Sequence, residues 1–151
     1  MLGKMFIFVL LSLKRDFFKP SSMDALIIKG TSETPNIIFD KEANKFEITG
    51  KSLPEDVKEF YNPVLRWLKT YADDPNPKTI LKVKMEYFNT ASSKMLLEVL
   101  ELLDGMYLAG KNVEVEWHYM EDDEDMHDAG NDYSDMLELP FKMISYQHIS
   151  N

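Results

Sequence analysis

Residues 86–94, Glu-Tyr-Phe-Asn-Thr-Ala-Ser-Ser-Lys, bring three hydroxyls together where an alternating strand pattern runs into a helical one. Thr90, Ser92 and Ser93 then lie beside the unpaired N–H groups of a first helical turn, where the positive end of the macrodipole favours an anion. The chemistry this permits is phosphoryl acceptance. The plainer reading is that Asn89 or Thr90 is an ordinary N-cap, and the local pattern alone favours capping without signalling.

Other chemistries find less support. The three histidines, His118, His127 and His148, have no HExxH spacing, no cysteine companion and no Gly-x-Ser-x-Gly elbow. His118 falls on the polar side of a strand pattern, where a solvated or hydrogen-bonded imidazole is the ordinary outcome. The six glycines are scattered singly, and the one Gly-Lys-Ser, at residues 50–52, has Lys45 where the GxxxxGK[ST] pattern needs its first glycine, so a phosphate-cradling P-loop is missing. Glu121 to Asp125, with Asp128, Asp132 and Asp135 beyond, offers carboxylates to a hard cation. An EF-hand frame starting at Asp123 nevertheless puts Asp128 where glycine is needed and Ser134 where the final glutamate is needed. A charged helix N-terminus facing water explains the run better. No metal ligands and no cofactor are assigned.

The bulk composition narrows the classes. At 151 residues and 44% hydrophobic content the chain suffices for one domain with a real core. A formal charge of −9 with no run of basic residues argues against nucleic acid as a partner. The lack of cysteine excludes disulfides and thiolate chemistry and agrees with a cytoplasmic setting. Within residues 1–22, Lys4, Lys14, Arg15 and Lys19 against Asp16 give +3, which leaves −12 for the remainder. The apolar run from Met5 to Leu13 is too short to span a bilayer, which takes about 20 residues. It is followed by Lys14-Arg15-Asp16 and Phe17-Phe18 instead of a small-residue cleavage site. No membrane is expected, and residues 1–22 read as an extension outside the fold; an interfacial anchor is the alternative. Residues 23–151 form the domain.

The elements that must position the hydroxyls follow from periodicity. Short strands are expected at residues 25–29, 36–40 and 45–49. Ser52-Leu53-Pro54-Glu55 has the form of a capping box, predicting a helix whose N-cap is Ser52. That helix carries the stripe Val57, Phe60, Tyr61, Val64, Leu65, Leu68 and Tyr71, with Pro63 inside it. Over residues 79–88, Leu81, Val83, Met85 and Tyr87 alternate with Lys82, Lys84 and Glu86. Over residues 112–119, Val113, Val115, Trp117 and Tyr119 alternate with Asn112, Glu114, Glu116 and His118. A parallel strand covered on both faces would be almost continuously apolar. Helices on one face and water on the other are therefore expected, with Lys82 and Lys84 near Glu114 and Glu116. Helices near residues 90–109 and 123–137 and a strand at 141–146 complete a β-β-β-α-β-α-β-α-β order in an α/β domain.

Three segments together resemble a known family. GTSETPNIIFD at 30–40, ITGKSLPED with FYNPVLRWL between 48 and 68, and EYFNTASSK followed by WHYMEDDEDMHDAGNDY up to 133 are similar to the SiaC-like bacterial regulatory phosphoproteins. The resemblance covers nearly all of residues 24–146. It implies a single STAS-like domain, similar to anti-sigma-factor antagonists, with a mixed sheet and helices mainly on one face. It also implies a non-enzymatic switch in which a threonine of an Asn-Thr-Ser-Ser element is phosphorylated by a serine/threonine kinase. A metal-dependent phosphatase reverses this, and the unphosphorylated form binds an effector, a diguanylate cyclase in the family.

Carried over by position, the acceptor is Thr90, with Ser92 and Ser93 as competitors and Asn89, Thr90, Ala91, Ser92, Ser93 and Lys94 as the partner-binding turn. Ala91 departs from the family element and removes one neighbouring hydroxyl. Two other readings stand beside this one: a small metal-dependent enzyme using segment 121–135 and His118, and a purely structural interaction module.

Overall fold

The computed structural model describes residues 23–149, and the expectations for residues 1–22 lie outside the described residues. The elements are β1 (Leu26–Ile28), β2 (Asn36–Asp40), β3 (Lys45–Ser52), α1 (Val57–Asp73), β4 (Thr79–Phe88), α2 (Thr90–Leu108), β5 (Val113–Met120), α3 (Glu124–Met136) and β6 (Phe141–Tyr146). They follow the order expected from periodicity. The six strands form one mixed sheet in sequential order. β1, β2 and β3 are an antiparallel meander, and β3 to β6 run parallel through the helical crossovers. Asn44, in the β2–β3 turn, has φ 51°, a left-handed conformation that asparagine tolerates better than most residues.

All three helices pack on the sheet face that carries Phe46, Ile48, Val83, Met85, Val115 and Trp117, and these side chains join the helices in one core. α1 buries Tyr61, Val64, Leu65, Leu68 and Tyr71. Trp67 stacks on Tyr71 at 5.2 Å between ring centroids, and Phe46 packs on Tyr71 at 5.0 Å. α1 runs through Pro63, whose missing N–H removes one internal hydrogen bond. α3 sits unusually close to the sheet at Gly130. A Cβ there would lie 2.6 Å from Trp117 Nε1 and 2.8 Å from Met143 Cε, so the helix reaches the indole only because this residue has no side chain.

The structure revises three local expectations. Ser52 is not the cap of α1. Its backbone still belongs to β3, paired with Phe88, and its side chain points into the core. Asp56 takes the capping position, and its Oδ1 accepts a hydrogen bond from the Glu59 amide at 3.0 Å. Continued strand pairing outweighs the local capping signature.

Tyr87 does not continue the buried side of β4. The β3–β4 register slips between Gly50 and Lys51, so Met85 faces Gly50 while Tyr87 faces Lys51. Gly50 adopts φ 102°, which a side chain would resist. The slip reverses the alternation. Phe88 therefore packs against Trp117 and Tyr133, and Tyr87 is 52% exposed.

On the other face, which is helix-free among the described residues, Lys82 stands opposite Glu116 as expected, but Lys84 stands opposite His118, and Glu114 opposite Ile80. These four charged residues are half-buried, not fully exposed. Long apolar stems lying on a closely spaced sheet lose contact with water even when their charged tips keep it.

Candidate functional site

The 89–94 turn lies at the carboxyl end of β4, where the chain enters α2. Asn89 is the N-cap: its Oδ1 accepts from the Ser92 amide at 2.9 Å, and its carbonyl accepts from the Ser93 amide at 2.9 Å. The Asn89 amide donates to the Ser52 carbonyl at 3.0 Å, which ties the entry of α2 to the end of β3. Thr90 is the first helical residue and is exposed, as are Ala91 and Lys94. Among the described residues the amides of Thr90 and Ala91 have no protein acceptor, as the geometry of a helix start requires. The turn therefore offers one exposed hydroxyl and two free donors at the positive end of a 19-residue helix.

The two serines differ from Thr90. Ser92 has 0% exposure, and its Oγ accepts from Ser52 Oγ at 2.8 Å. Ser52 in turn accepts from the Tyr61 hydroxyl at 2.7 Å. Burial pushes the Tyr61 phenol up to about 12, with the Ser52 hydrogen bond opposing part of that rise, so Tyr61 stays a donor at neutral pH. These three buried hydroxyls tie α1, β3 and α2 together. Ser93 is half-buried, and its hydroxyl donates to the Thr90 carbonyl at 2.7 Å. The Ser93 carbonyl accepts from Tyr133 of α3 at 2.7 Å. The Tyr133 phenol is raised well above its ordinary range, first by burial and then by the nearby Tyr61.

Sequence reasoning brings Asn89, Thr90, Ala91, Ser92, Ser93 and Lys94 to one turn, and the fold keeps them there. It misses Ser52, Tyr61 and Tyr133 as parts of the same unit. The available signal was the presence of tyrosines on otherwise apolar stripes, because a buried phenol needs a hydrogen-bond partner.

The acidic segment begins beside this turn. Asp123 caps α3, accepting from the Met126 amide at 3.0 Å, and Glu124 and Asp125 occupy its first turn. An open cleft of about 390 Å³ runs between the end of β4 and the start of α3, lined by Glu86, Tyr87, Phe88, Asp123, Asp125 and neighbours. Among the described residues no three of His, Cys, Asp and Glu converge as metal ligands. His118 stands apart on the helix-free sheet face. Its Nε2 is buried without a hydrogen-bond partner among the described residues and lies 3.6 Å from Glu116 Oε1. Burial first, then Lys82, lowers its pKa, while Glu116 opposes the shift.

Residues 28–146 match the sequence pattern of the SiaC family regulatory phosphoproteins. The chain belongs to that family. Its fold is similar to the solved structure of SiaC of Pseudomonas aeruginosa, with 27% identity, a TM-score of 0.75, and coverage of 82% of this chain and all of that one. It is also similar to SiaC in the crystal structure of diguanylate cyclase SiaD in complex with its activator SiaC, from the same organism. There the identity is 28%, the TM-score 0.76, and the coverage 80% of this chain and 99% of that one. A further Pseudomonas aeruginosa protein, of uncharacterized role, is 29% identical over 124 residues, which are 82% of this chain and 98% of the relative. Family membership supplies the regulatory class. The geometry supplies a turn on which one hydroxyl is open and its neighbours are engaged in the fold.

Proposed function

We propose that this protein is a non-enzymatic binding switch controlled by reversible phosphorylation of Thr90. A serine/threonine kinase adds the phosphoryl group, a metal-dependent phosphatase removes it, and the unphosphorylated form binds an effector. SiaC in the solved complex is the activator of a diguanylate cyclase, so a cyclase is the effector proposed for this chain. The cytoplasm is the proposed site of action; among the described residues no helix is long and apolar enough to cross a membrane. Residues 23–151 carry the activity, and residues 1–22 are a dispensable extension.

The observation that carries this reading is the exposed Thr90 hydroxyl at the head of α2, beside two free amides and in a chain of the SiaC family. A phosphate there adds about −1.5 to −2 charges and three acceptor oxygens, which the helix terminus accommodates without unfolding. Its effect then falls on the partner surface. The cleft lined by Glu86, Asp123 and Asp125 extends along β4 to Phe88, two residues before Thr90, so added negative charge meets an already acidic rim. An effector docked on the exposed Tyr87 loses affinity through repulsion and bulk.

The test is site-resolved mass spectrometry after incubation with the partner kinase and ATP, followed by effector titration. One phosphoryl group on Thr90 and weakened effector binding are expected. Phosphate on Ser92 or Ser93 with Thr90 unmodified would overturn the assignment, and equal affinity of the two forms would remove the switch.

A further inference from the structure

Four charged side chains cross the helix-free face in one line. β3, β4, β5 and β6 contribute Glu47, Lys82, Glu116 and Lys142, each the register partner of the next, so the signs alternate across the sheet. Attraction between neighbouring strands accounts for opposite charges side by side, but the contacts do not close. Among the described residues neither Lys82 nor Lys142 forms an ion pair, while Glu47 is met by Lys45 of its own strand at 3.8 Å and Glu116 by His118 at 3.6 Å. The next line along the strands is Thr49, Lys84, His118 and Ile144, and it contains the orphaned, buried Nε2 of His118.

We propose that this face docks a second copy of the chain about a two-fold axis running parallel to the strands, between β4 and β5. Rotation about that axis reverses the line. Glu47 then faces Lys142 of the partner subunit, and Lys82 faces Glu116 of the partner subunit, so every charge in the line meets its opposite. A two-fold axis lying along the charged line instead would set each charge against itself, so the alternation selects one of the two face-to-face arrangements. Four strands spaced by about 4.8 Å make a contact roughly 20 Å wide. That is the small end of specific interfaces, and such contacts are weak and concentration-dependent.

Sedimentation velocity on the full chain at tens of micromolar tests the assignment. At low ionic strength, where the Debye length is about 30 Å, a species of twice the 17.6 kDa chain mass is expected. Near 1 M salt, where that length is about 3 Å, the single-chain mass is expected. Lys82→Glu should be monomeric at both, and Lys82→Glu combined with Glu116→Lys should restore the dimer because the swapped charges again oppose across the axis. Glu47→Lys with Lys142→Glu is a second swap with the same expectation, and far-UV circular dichroism verifies that each variant is folded. A wild-type chain that is monomeric throughout, a dimer that survives Lys82→Glu, or two folded double variants that both stay monomeric would each overturn the proposal.

Discussion

The Ser52 hydroxyl donates a hydrogen bond to the Ser92 hydroxyl at 2.8 Å across a separation of 40 residues, in a place where water does not reach. This contact holds the 89–94 turn to the rest of the domain. Ser92→Ala removes the acceptor and leaves the Ser52–Tyr61 pair one partner short, at a cost of about 1–2 kcal/mol. Tyr61→Phe should cost a similar amount. Urea unfolding monitored by circular dichroism measures both, and wild-type midpoints would show that the relay carries no stability. Ser92→Ala should still accept phosphate at Thr90.

Capping belongs to Asn89, and acceptance is proposed for Thr90. Asn89 holds the Ser92 amide, so Asn89→Ala should lose about 1 kcal/mol. Thr90 is an exposed first helical residue, so Thr90→Ala should stay within about 0.5 kcal/mol of wild type while abolishing phosphorylation. Thermal melts of the two variants give the comparison, and a larger loss for Thr90→Ala would reverse the division of roles.

Gly130 is held to its identity by Trp117. Helix propensity alone would make Gly130→Ala stabilising by about 1 kcal/mol, but the new methyl would collide with a fully buried indole that also donates to the Met126 carbonyl at 2.9 Å. Overpacking of about 1–3 kcal/mol should prevail, with a shift in tryptophan fluorescence. An unchanged or raised melting temperature would contradict the close approach.

His118 should make the fold sensitive to acid. The groups facing it are Lys82 and Lys84 from β4, Glu116 from its own strand and Ile144 from β6. Burial and the two lysines lower its folded-state pKa below the ordinary 6.5, so between those two values the unfolded chain binds more protons. Stability therefore falls as pH drops through 6.5 towards the folded-state value and levels off below it. His118→Gln should flatten that part of the profile in melts taken between about pH 5 and 8. Identical profiles for the two proteins would refute the assignment.

The sequence by itself determined the strand and helix order, the one-sided packing of the sheet and the location of the hydroxyl turn. Each of these depends on periodicities and cap residues only a few positions apart. The period-two alternation of β4 and β5 identifies the core face because a half-buried strand must alternate. The same local logic misassigns Ser52 and Tyr87. Whether Ser52 caps a helix or ends a strand depends on Phe88 pairing beside it, and Tyr87 turns outward because the register slips beside Gly50. Only the tertiary structure decided which of the three hydroxyls stays open, since Ser52 and Tyr61 engage Ser92 from distant parts of the chain. Gly130 against Trp117 and the charged line from Glu47 to Lys142 have the same origin. These are relations between residues that local pattern does not connect, fixed when the sheet register and the helix positions are set together.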